Sequence, residues 1–77
     1  MDPEELDQYL LPVVDQEGPW VSREDLYRAS PWQQVTRSQV AAWTESAENR
    51  GLISSRAEAG TARRYALTKG GEYVLTD

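Results

Sequence analysis

Arg37 and Gln39 stand two apart at the start of a segment with helical spacing, and Arg56, Arg63 and Arg64 flank a glycine-containing turn. Arginine can donate two N–H bonds to one guanine edge, and glutamine can pair with adenine through its amide acceptor and donor. The other three arginines suit phosphate oxygens, which need charge and donors more than shape. Each also has a plainer reading. Arg37 and Gln39 are solvated first-turn residues, with Gln39 serving a capping box, and charge on a hairpin keeps its edge soluble.

Other chemistries are thinly represented. The chain has 77 residues with no histidine and no cysteine, so the commonest general base, disulfides and thiolate metal sites are excluded. Glu4, Glu5 and Asp7 do not easily form a hydrolytic pair, because neighbouring positions point to different helix faces. No phosphate-cradling glycine loop, nucleophile–base pair or ligand cluster can be read. The expectation is a non-enzymatic protein without metal or cofactor. With no apolar run long enough for a membrane span and no basic-then-apolar leader, no membrane partner is expected, and a soluble, cytoplasmic protein follows.

The net charge of −5 counts against a polyanion partner when taken alone. Its distribution is uneven. Residues 1–25 carry eight acidic groups and one basic, whereas residues 50–70 carry Arg50, Arg56, Arg63, Arg64 and Lys69 against Glu58. An acidic chain so polarised can still present a basic face.

The elements that must position these groups follow from capping and periodicity. Asp2-Pro3-Glu4-Glu5 opens a helix over 3–16, with Asp2 as cap and Pro3 in the first turn. Leu6, Tyr9, Leu10, Val13 and Val14 share one face, and Pro12 predicts an end or kink near Leu11. Ser22 caps a second helix over 22–30, with Asp25 as its partner and Ser30-Pro31 as the stop. Thr36 and Gln39 open a third helix over 36–50, whose buried stripe is Val40, Trp43 and Ala47, and Gly51 closes it. A two-stranded hairpin over 52–68 places Tyr65 and Leu67 on one face and Arg64 and Ala66 on the other. Thr68 caps a short helix over 69–76. The order predicts a single α+β domain spanning 1–77. Trp43 belongs to the core by periodicity, and Trp32 either packs back on the domain or anchors a partner.

Three stretches carry a resemblance. Thr36-Arg37-Ser38-Gln39-Val40, Ala47-Glu48-Asn49-Arg50-Gly51-Leu52-Ile53 and Arg63-Arg64-Tyr65-Ala66-Leu67-Thr68-Lys69-Gly70-Gly71 are together similar to winged helix-turn-helix domains of prokaryotic MarR/PadR-type transcriptional regulators. The resemblance implies three helices, a two-stranded β-wing and a short C-terminal helix, with Trp20, between Pro19 and Val21, in a short strand that pairs with the wing. It further implies a third helix in the DNA major groove, with Arg37, Ser38, Gln39 and Ala42 facing the bases. Arg56, Arg63 and Arg64 would lie on the wing, against backbone or minor groove. The short wing, the acidic Glu45 and Glu48, and the missing long dimerisation helices depart from that pattern. The expectation is a small DNA-binding regulator from a prokaryote, archaeon or virus, acting on double-stranded DNA as a homodimer. Leu6, Tyr9, Leu10 and Val13 would form the dimer surface, with Trp32 as a further partner contact. The alternative is a winged-helix protein-interaction module that does not touch DNA, since fold does not fix function.

Overall fold

The computed structural model describes residues 2–30 and 35–76. The first turn, Pro3–Leu6, is a 3-10 helix that runs directly into helix α1, Asp7–Glu17. Contrary to the sequence reading, the Asp2 side chain makes no cap bond. Its backbone carbonyl instead accepts from Glu5 N at 3.0 Å, so the tight turn already satisfies the donor that the side chain would have taken.

Of the two outcomes expected at Pro12, the helix end is not seen, because α1 continues through it to Glu17. Proline removes one N–H and so leaves the carbonyl four residues back without a helical partner. That residue, Gln8, is exposed, and water can take the bond.

The next two helix starts follow the capping chemistry. Helix α2, Arg23–Ala29, begins at Ser22, whose hydroxyl accepts from Asp25 N at 3.1 Å while Asp25 accepts from Ser22 N at 3.2 Å. Helix α3, Arg37–Asn49, begins at Thr36 with the same reciprocal pair, here completed by Gln39. Its end turns at Gly51, where φ is +77°, and Leu52 N donates back to Ala47 O at 2.9 Å.

The hairpin consists of β2, Ile53–Arg56, and β3, Arg64–Leu67. A third strand joins it. β1, Val21–Ser22, pairs antiparallel with β3, giving the sheet order β1-β3-β2. Trp20 lies just outside this strand, at a positive φ of 70°. The register sets Ile53 opposite Leu67 and Ser55 opposite Tyr65 on one face, with Ser54 opposite Ala66 and Arg56 opposite Arg64 on the other. The first face meets the helices. Leu6, Leu10, Leu11, Val14, Leu26, Val40, Trp43, Ala47, Ile53 and Tyr65 close a common core.

Helix α4, Lys69–Thr76, is tied to the end of α3 through one hydroxyl. Thr68 Oγ1 donates to Gly51 O and accepts from Gly71 N. Gly71 is buried, and a Cβ there would overlap the Leu52 carbonyl oxygen and come within 2.8 Å of Leu67 Cδ1. Backbone on one side leaves little room to relax. Gly71→Ala is expected to destabilise the domain by roughly 1–3 kcal/mol, read as a lower midpoint in thermal unfolding.

Candidate nucleic-acid interface

The arginines singled out in the sequence divide between two surfaces. On α3, Arg37 is exposed and its guanidinium lies over the Tyr27 ring, 4.6 Å from the centroid. Arg37 Nη2 also donates to Glu24 Oε1 at 2.7 Å, and this bond raises its pKa above the ordinary arginine value. Ser38 and Ala42 are exposed, and the same solvent face continues through Glu45 and Asn49. Gln39 is half-buried, and its Oε1 accepts from Thr36 N at 2.8 Å. A bidentate adenine contact needs that same oxygen, so Gln39 would have to give up the cap to make one.

On the hairpin, Arg56, Arg63 and Arg64 are all exposed. Arg56 and Arg64 are direct cross-strand neighbours. Arg56 stacks on Trp20, 4.2 Å from the ring centroid. Arg64 Nη1 lies 3.4 Å from Trp20 O and 3.9 Å from an Asp25 oxygen. Hydrogen bonds from the Ser22 backbone N–H and hydroxyl, with smaller help from the charges of Arg64 and Arg28, hold the Asp25 carboxyl below its ordinary pKa. Arg63 donates to Ser55 Oγ at 2.9 Å, and Ser55 in turn donates to Glu48 at the far end of α3. Glu24 and Glu48 therefore sit beside the two basic groups, one on each surface.

Arg50, part of the basic run in the sequence, serves elsewhere. Its Nη1 and Nη2 donate to the two Asp7 oxygens at 2.6 and 2.8 Å, and its Nε donates to Ser46. Asp7 Oδ1 also accepts from the Trp43 indole N–H at 2.7 Å. Burial raises the Asp7 pKa, but hydrogen bonds from Arg50 and Trp43 and the Arg50 charge outweigh it and leave the carboxyl below its ordinary value. Sequence reading counted Asp7 only among the acids of the N-terminal segment. The available signal was Trp43 itself, a core tryptophan whose N–H must find an acceptor.

The expected dimer surface on α1 is overturned. Leu6, Leu10 and Val13 are 1%, 0% and 8% exposed, and Tyr9 packs partly buried against the same core. Their stripe is consumed by the domain's own helices and sheet, so it cannot meet a second chain without unfolding. Trp32 lies outside the described residues. The large apolar side chains exposed among the described residues are instead Tyr73 and Val74 of α4.

Among the described residues, no helix is long and apolar enough to cross a membrane, and no group of three or more acidic side chains is placed to hold a metal ion. Comparison of the chain with protein-family models, with curated proteins and with solved structures finds no match in any of the three.

Proposed function

We propose that this chain is a winged helix-turn-helix module that binds double-stranded DNA and acts as a small transcriptional regulator. The helix–strand–helix–helix–hairpin order and the β1-β3-β2 sheet are compatible with that architecture. The observation that carries the DNA reading is the outward face of the hairpin. Arg56 and Arg64 are exposed there and held directly opposite each other despite their like charge, and Arg63 is exposed beside them on the side nearer α3. Such an arrangement suits phosphate oxygens. In this reading α3 enters the major groove with Arg37, Ser38 and Ala42 at its leading face, and the hairpin follows the flanking backbone. A second copy would bind through α4, where Tyr73 and Val74 are exposed.

A second reading has its own support. Glu24 binds Arg37 directly, and Glu48 reaches Arg63 through Ser55, so the basic groups are partly neutralised by the fold. That favours a protein partner over a polyanion.

Selection of bound sequences from random duplex DNA, repeated at two salt concentrations, separates the readings. The DNA reading expects an enriched consensus with dyad symmetry and affinity that falls steeply with salt. Recovery of unselected sequence, with no salt-dependent retention, would defeat it and leave the protein-partner reading.

A further inference from the structure

We infer that Trp20 is a positioning residue for phosphate binding, its indole face holding Arg56 so that Arg56 and Arg64 grip one DNA phosphate together. This rests on the DNA reading above and adds to it a residue outside both the third helix and the hairpin.

The first observation is the backbone of Trp20. A bulky residue at φ 70° is in a region that L side chains rarely adopt, and glycine would fit it without strain. The ring thus earns its place by what it touches. From this turn, immediately before β1, it reaches the outer face of the hairpin and lies against Arg56 at 4.2 Å.

The second observation is the opposed pair. Like charges directly opposite in a ladder repel. Here each is held by its own neighbours. Arg56 has an aromatic face, and Arg64 has a carbonyl at 3.4 Å and a carboxylate only at 3.9 Å. Stacking occupies the flat face of a guanidinium and leaves its N–H edge able to bond in the plane. Two such edges on neighbouring strands form a fork suited to phosphate oxygens.

The third is space. Arg56 and Arg64 border a depression of about 250 Å³ with Glu58, Thr61 and Ala62, large enough for one phosphate group. Glu58 opposes an anion there, so the grip depends on both arginines being aimed together.

The test uses the full chain and a short mixed-sequence DNA duplex, with binding measured across a salt series. The variants are Trp20→Gly, Trp20→Phe, Arg56→Ala and the Trp20→Gly/Arg56→Ala double variant. Glycine removes the ring while suiting the backbone, and phenylalanine restores an aromatic face. W20G and R56A are each expected to lower the slope of log affinity against log salt by about 0.9, the loss of one phosphate contact. The double variant is expected to fall no further, and W20F to keep the wild-type slope. A folded W20G with the wild-type slope overturns the inference while leaving the DNA reading intact. R56A with an unchanged slope overturns it even if W20G does not fold. Wild-type protein without salt-dependent binding overturns both.

Discussion

Asp7→Ala is expected to destabilise the domain by about 2–3 kcal/mol, the largest stability effect of any single polar side chain described above. One carboxylate joins the start of α1 to both the middle and the end of α3, because it accepts from the Trp43 indole and from two nitrogens of Arg50. Removing it leaves a tryptophan N–H without its acceptor in a residue that is 0% exposed, and leaves a half-buried guanidinium without its counter-charge. The ion pair retains some solvent contact, which places the effect below that of a fully buried pair. For a domain of this size the loss corresponds to a fall of roughly 10–20 °C in the unfolding midpoint. Arg50→Ala is expected to cost less, since Asp7 keeps its bond from Trp43.

The same carboxylate sets an acid limit. Its folded-state pKa lies below the ordinary value, so the folded chain holds the Asp7 proton less tightly than the unfolded chain does. The resulting stability is fully present above the unfolded carboxyl pKa of about 3.9 and is lost as pH falls through the lower folded value. Asp7→Asn is expected to be less stable at neutral pH and to show a shallower decline on acidification. Denaturant titrations at neutral pH and below pH ~4 measure both; parallel declines in the two proteins would refute the assignment. Asp25 contributes in the same direction and is common to both proteins.

Local chemistry in the sequence accounts for most of the elements. Ser22 with Asp25 and Thr36 with Gln39 set two helix starts because their bonds lie within one turn, and Gly51 sets a helix end because the chain must turn left-handed there. What the sequence hid were effects of distance. Only the resemblance pointed to β1, and it put Trp20 inside the strand; the pairing with β3 joins residues 42 and 44 apart in sequence, and two residues of strand have no periodicity to read. Asp7 looked like one more acid in an acidic segment because its partners lie 36 and 43 positions away. The α1 stripe was legible as apolar, but periodicity alone does not say whether a stripe faces the same chain or another. In so small a domain the core claimed it. At the candidate interface, residue types were legible and their occupancy was not. Glu24 and Glu48 reach the arginines from other elements, and no local pattern in the chain announces either contact.

Glu48 and the hairpin arginines together make the strongest test of the proposed DNA contact, since their substitutions have effects of opposite sign. Arg56→Ala, Arg63→Ala and Arg64→Ala combined are expected to lower affinity for duplex DNA on the order of a hundredfold or more, with the salt slope falling by about 1.8, one phosphate shared by Arg56 and Arg64 and one held by Arg63. The fold should survive, because all three side chains are exposed and their removal relieves the repulsion between Arg56 and Arg64. Glu48→Gln is expected to do the reverse. Glutamine can still accept the hydrogen bond from Ser55, but it removes the negative charge next to Arg63. Binding should tighten several-fold, most at low salt where screening is weakest. A protein interface that uses these arginines against an acidic partner would also weaken in the triple variant. It would have no reason to show the counterion-release slope, which arises from the condensed ion atmosphere of the duplex. Equilibrium binding of all three proteins to one duplex across a salt series therefore tests sign, magnitude and mechanism together. A triple variant with wild-type affinity and slope would remove the hairpin from the interface altogether.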